Sequence, residues 1–160
     1  MQIFLCIYEK NRIFAPKLEK MLHFVTENID MPPINPAHIE NWLRRVAAGY
    51  GFALGDITYI FCDDKRILEV NRQFLQHDYY TDVITFDYTT PGRVSGDIYM
   101  SLETIRSNAE MVGVDYMDEV HRILVHGLLH LTGQGDKTPE SKAVMTEKED
   151  KALAMLNNVD

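Results

Sequence analysis

The chain has 160 residues, 46% of them hydrophobic and 25% charged, the balance of an ordinary globular domain. That length builds one domain, burying roughly two thirds of the surface its unfolded chain exposes, with no staple needed. A formal net charge of −8 excludes a general nucleic-acid binder, because a phosphate backbone must be met by lysine and arginine. A nucleic-acid substrate would demand a local basic face, for which Arg44, Arg45, Lys65, Arg66, Arg72, Arg93, Arg106 and Arg122 are the candidates. The two cysteines, Cys6 and Cys62, have no Cys-x-x-Cys neighbour and are expected as reduced thiols in the cytoplasm. No window approaches about 18 consecutive apolar residues, so no membrane span is expected. The apolar start lacks a basic leader and a small-residue cleavage site, which argues against a signal peptide.

Residues 22 to 26 alternate apolar and polar and predict a first strand. Asp30-Met31-Pro32-Pro33 breaks regularity. Asn35-Pro36 has the form of a helix N-cap followed by proline, and Ile39, Trp42, Leu43 and Val46 then recur on one face until Gly49. Residues 57 to 62 are β-branched and aromatic and predict a second strand. Asp63 and Asp64 cap the next helix, which carries Ile67, Leu68, Asn71 and Leu75, and a loop with a lone surface-type His77 leads to a strand at 83 to 86. After the turn at 89 to 92, a fourth strand runs from Gly96 through Ser101. Ser101 caps a helix with Ile105, Ala109 and Val112 inward, ended by Gly113. A long helix then starts at Asp115 or Asp118 and runs to about Thr132. Thr138-Pro139 opens the last helix, with Val144, Met145, Leu153 and Leu156 inward and Glu147-Lys148-Glu149-Asp150-Lys151 as a solvated face. Because strands and helices do not alternate strictly, the expected class is α+β, a mixed sheet of about four strands packed with about five helices.

The chemistry concentrates at Val125-His126-Gly127-Leu128-Leu129-His130-Leu131-Thr132-Gly133-Gln134-Gly135-Asp136. His126 and His130 lie four residues apart on a helix, only roughly 40° apart around its axis and about 6 Å along it, so their imidazoles converge. Flanked by Ile-Leu-Val and Gly-Leu-Leu, they sit in a helix apolar enough to be buried, where an unpartnered imidazole is costly. Gly133 and Gly135 end the helix and permit left-handed or turn conformations that return Asp136 to the same point. Two nitrogens, one oxygen and an open fourth position make the donor set of a catalytic zinc site. His121, five residues before His126, lies about 140° round the helix, so it should not ligate the same ion and is expected at the surface or behind the ligands.

This stretch resembles the signature His-Gly-x-Leu-His-Leu-x-Gly-x-Asp-His of the YbeY-type endoribonucleases, with Asp136 where the family has its third histidine. Thr81-Asp82-Val83-Ile84-Thr85-Phe86 resembles the family's Thr-Asp-Val-Leu-Ser-Phe, and Gly96-Asp97-Ile98 its Gly-Asp-Ile. The resemblance runs from about residue 22 to 156 and leaves residues 1–20 as an N-terminal extension to a hydrolase domain at 21–160, with Met21 as a possible start. It implies a single zincin-like domain holding one divalent ion per chain, zinc by preference, on His126, His130 and Asp136. It also implies a metal-dependent, single-strand-specific endoribonuclease in maturation of small-subunit (16S) ribosomal RNA and in ribosome quality control. The implied partners are single-stranded RNA and ribosomal particles, with no DNA, no membrane and a cytoplasmic location. Leu75 stands where the family carries an arginine thought to serve catalysis, so no general base is assigned. The alternatives are a ribosome-associated binding factor stabilised by metal, and a metallopeptidase-like hydrolase. The peptidase motif requires Glu directly after the first His, and Gly127 stands there.

Overall fold

The computed structural model describes residues 20–77 and 81–158. Four strands, β1 (Leu22–Glu27), β2 (Ala53–Cys62), β3 (Val83–Asp87) and β4 (Arg93–Ser101), combine with five helices, α1 (Pro36–Gly49), α2 (Asp64–Leu75), α3 (Leu102–Val112), α4 (Tyr116–Leu131) and α5 (Pro139–Asn157). The sheet has the order β1-β2-β4-β3. Its first three members are parallel and β3 is an antiparallel edge strand. The α+β class and the mixed sheet are those the residue pattern predicts.

The helices begin where side chains satisfy orphan amides. Asn35 Oδ1 accepts from His38 N at 3.2 Å and Asp63 Oδ1 from Arg66 N at 2.8 Å, while Thr138 and Ser141 form a reciprocal capping box. Asp115, not Asp118, caps α4, accepting from Met117 N at 3.2 Å. The strands divide the molecule by alternation. Val94, Ile98 and Met100 of β4 join the large core under α1, α3, α4 and α5. Tyr99 faces the other way, into a smaller cluster of Cys62, Ile67, Val70, Ile84 and Phe86 beneath α2. Burial there pushes the Cys62 thiol up to about 12, so the thiolate is inaccessible at physiological pH.

Several boundaries differ from the pattern's prediction. β2 begins at Ala53 and β4 at Arg93, and these early residues pair with each other across a register shift between Leu54 and Ile57. That irregularity interrupts the alternation that would have marked the longer strands. Val112 is 65% and Val144 42% exposed, so neither points inward. On α5, Met145 is buried and Leu153 and Leu156 pack against the core as predicted, but the buried stripe also takes in Glu149 and Ala152, and Glu149 belongs to the run expected as a solvated face.

The core fixes α4 at both ends of its central turn. The Tyr59 hydroxyl donates to the Leu124 carbonyl at 2.8 Å in the buried interior, two residues before His126. At the next residue, Gly127, an added Cβ would lie 3.0 Å from both Ile98 Cδ1 and Ile98 Cγ2. Glycine therefore lets the helix lie directly on β4, which sets the depth of the histidines on either side of it.

Candidate metal centre

Three partly buried side chains converge at the C-terminal end of α4. His126 Nε2 and His130 Nε2 are 3.0 Å apart, and Asp136 Oδ2 lies 3.4 Å from the first and 3.3 Å from the second. Donors bonded to one tetrahedral zinc at about 2.0–2.1 Å stand about 3.3 Å from one another. The triangle thus has the dimensions of one face of such a polyhedron, and His126, His130 and Asp136 together form a group able to hold a metal ion.

The turn that completes the group has a specific cause. Gly133 adopts φ +98. Its amide bonds the His130 carbonyl at 3.0 Å, and the Gln134 amide bonds the Leu129 carbonyl at 3.1 Å, which are the two hydrogen bonds of a Schellman helix end. Chain reversal follows at once and delivers Asp136 three residues later. Gly135, expected to share this role, has no positive φ, and nothing lies within 4 Å of a Cβ built there. Gly133→Ala should therefore cost about 1–2 kcal/mol through left-handed strain, whereas Gly135→Ala should change stability by less than about 1 kcal/mol. Denaturant titration of the two variants measures the contrast, and equal losses would contradict it.

The His126 imidazole is held from behind, its Nδ1 lying 2.8 Å from Glu149 Oε2 on α5. Burial disfavours a charged His126, but the Glu149 hydrogen bond and the charges of Glu149, Asp136 and Asp82 outweigh it and raise its pKa above the ordinary value. His130 moves down instead, through burial and the neighbouring His126, against the pull of Asp136. Of the two rings, His126 therefore takes up a proton more readily than His130. Two further carboxyls stand within electrostatic reach. Asp82, just before β3, is raised by burial and opposed by His126. Glu119 on α4 is raised by burial, with Arg122 opposing.

Of the other residues singled out in the sequence, His121 packs edge-on against Trp42 at 6.1 Å between ring centroids, inside the α1–α4 contact and away from the triad. Burial lowers its pKa. Leu75 ends α2 and is 40% exposed. Among the candidate basic residues, Arg44 pairs with Glu40, Arg66 with Glu27 and Glu69, and Arg122 with Glu149 and Asp150. Arg106 stacks over the Tyr116 ring at 3.9 Å. Glu149 was missed because the Glu147-Lys148-Glu149-Asp150-Lys151 run reads as solvated, and Arg122 was read only as a candidate for a basic face. The available signal was position: Glu149 occupies the same stripe as Met145 and Ala152.

Fold and site together define a single-domain α+β protein in which one helix and the turn after it present a two-histidine, one-carboxylate donor set, the type of arrangement that divalent-metal hydrolases use. Residues 25–157 match the family described as endoribonuclease YbeY, and the chain belongs to that family. It is 56% identical to the endoribonuclease YbeY of Bacteroides thetaiotaomicron over 132 residues, 82% of this chain and 96% of that one. It is 41% identical to the Cytophaga hutchinsonii protein of the same name over 138 residues, 86% of this chain and 96% of the relative. A Thermotoga maritima protein solved in solution shares the fold with a TM-score of 0.58 at 22% identity, covering 85% of this chain and 89% of that one.

Proposed function

We propose that this protein is a divalent-metal-dependent, single-strand-specific endoribonuclease acting in small-subunit (16S) ribosomal RNA maturation and ribosome quality control. Its relatives bear the name endoribonuclease YbeY, and the observation that carries the reading for this chain is the convergence of His126, His130 and Asp136. These three would hold the ion, zinc by preference for a set rich in imidazole. Held there, a divalent ion supplies Lewis acidity, lowering the pKa of water from about 15.7 toward about 7 and polarising a phosphoryl oxygen. His126 and His130 present their Nε2 atoms and Asp136 its Oδ2. No general base is assigned; Asp82 and Glu119 are carboxyls whose pKa burial raises and which interact electrostatically with His126. The partners are single-stranded RNA and ribosomal particles, in the cytoplasm; no helix among the described residues is long and apolar enough to cross a membrane.

The metallopeptidase alternative meets a steric obstacle. At Gly127, the position of that motif's base, a side chain would be driven into Ile98. The binding-factor alternative keeps the same donor set, with the metal serving only to stabilise the fold. One experiment separates the readings: metal analysis of the purified protein, with cleavage of single-stranded RNA measured with and without chelator. Chelator-sensitive cleavage supports the nuclease. A metal-loaded protein that binds ribosomal particles yet cuts no RNA supports the binding factor.

We further propose that residues 21–160 suffice for this activity, residues 1–19 of the extension lying outside the described residues. The Met21 and Leu22 amides already approach the Glu40 carboxylate at 3.4 and 3.2 Å, so a new amino terminus at Met21 meets an opposite charge. A chain starting there should keep its Tm within a few degrees and its cleavage rate unchanged; a large drop in Tm would show that the extension packs into the core.

A further inference from the structure

We propose that Glu149 is a positioning residue for the metal centre: it fixes the tautomer and ring orientation of His126 and is itself locked in place by Arg122. The inference rests on reading His126, His130 and Asp136 as metal ligands, and it reaches to a helix that contributes no ligand. Glu149 is only 6% exposed. Its neighbours in the stripe, Met145 and Ala152, are each 2% exposed, so a hydrocarbon side chain would suit the packing of α5 better than a carboxylate. The carboxylate is nonetheless fully engaged. Oε2 lies 2.8 Å from His126 Nδ1 and Oε1 2.9 Å from Arg122 Nη1. The guanidinium extends the chain of contacts, its Nη2 standing 2.7 Å from Asp150 Oδ1.

Arg122 and His126 are four residues apart on α4, hence on one face of it, and Glu149 spans the two. The arrangement has a chemical consequence. An ionised carboxylate only accepts hydrogen bonds, so the proton of a neutral His126 belongs on Nδ1. The lone pair is then on Nε2, the atom that stands 3.0 Å from His130 Nε2 and 3.4 Å from Asp136 Oδ2. Arg122 holds the second carboxylate oxygen at 2.9 Å, so the acceptor cannot rotate away. Outer carboxylates of this kind typically alter metal affinity by about 10–100-fold when removed.

The test measures Zn(II) and Mn(II) affinity by chelator competition for the full chain and for the Glu149→Ala, Glu149→Gln, Arg122→Ala and Glu149→Ala/Arg122→Ala variants, with folding followed by circular dichroism. Glu149→Ala should weaken binding about 10–100-fold. Glu149→Gln should lose less than that, because its amide oxygen still accepts from Nδ1 while its NH₂ is left facing a guanidinium. Arg122→Ala should weaken binding in the wild-type background and do little once Glu149 is gone, the non-additivity of groups acting in series. In metal-free protein at a pH where His126 is neutral, nitrogen-15 spectra should place its proton on Nδ1 in the wild type and distribute it between the two nitrogens in Glu149→Ala. A folded Glu149→Ala protein with wild-type metal affinity would overturn the proposal, as would an Nε2-protonated His126 in the wild type. If His126→Ala binds metal as tightly as the wild type, the ligand assignment itself fails, and the role of Glu149 with it.

Discussion

His126→Ala, His130→Ala and Asp136→Ala should each abolish stoichiometric metal binding and reduce RNA cleavage on the order of 10³-fold or more. The three donor atoms lie within 4.8 Å of one another, and removing any one leaves two, too few to hold a catalytic ion. A lost Lewis acid removes several kcal/mol of transition-state stabilisation, and each 1.36 kcal/mol is tenfold in rate. Elemental analysis of the three variants beside wild type, with cleavage of a single-stranded RNA oligonucleotide, decides the matter. A full complement of metal in all three would sink the assignment. Proton competition adds a signed expectation. Burial opposes a charged His126, but Glu149 and the surrounding carboxylates hold its pKa above the ordinary histidine value. A proton on that ring must leave before a metal binds, so affinity should fall as pH decreases through the raised pKa of His126 and level off above it.

The groups that build this centre were unequally legible in the sequence. His126 and His130 were readable because helical spacing alone sets their convergence, and Asp136 because Gly133 announces the end of the helix. Gly135 appeared to announce it too, but a single left-handed residue suffices to reverse the chain, and a glycine at 135 carries no such duty. Caps were legible for the same reason as the candidate ligands: Asn35, Asp63, Ser101 and Thr138 each act on the amide three residues on. The early pairing of Ala53 with Arg93 was not, since a bulge erases alternation and nothing local replaces it. Glu149 shows the limit most clearly. Its neighbours in sequence are charged, its neighbours in space are His126 and Arg122, and only the packing of α5 on α4 brings the second set to it. For the candidate arginines the residues were visible but their long-range partners were not: Glu27 and Glu149, which pair with Arg66 and Arg122, lie 39 and 27 residues away.

Asp136→His should shift the pH profile of cleavage toward acid. A carboxylate cancels one charge of a divalent ion and leaves the centre formally +1; a third neutral imidazole would leave it +2. The less positive centre acidifies water less, so the native protein needs a higher pH to reach full activity, and the variant should reach it lower. Oxygen is also a harder donor than imidazole nitrogen, so manganese should compete with zinc better in the native protein than in the variant. Both effects arise from one exchange and should move together. The geometry admits the larger ring: Asp136 is only partly buried, and Gly135 before it has no atom within 4 Å of a built Cβ, so the segment has room to adjust without disturbing Gly133. The measurement is the acidic limb of the pH–rate profile for both proteins, with zinc and manganese affinities determined in parallel. An Asp136→His protein that binds zinc normally but shows an unchanged or upward-shifted limb would refute this account of the charge at position 136.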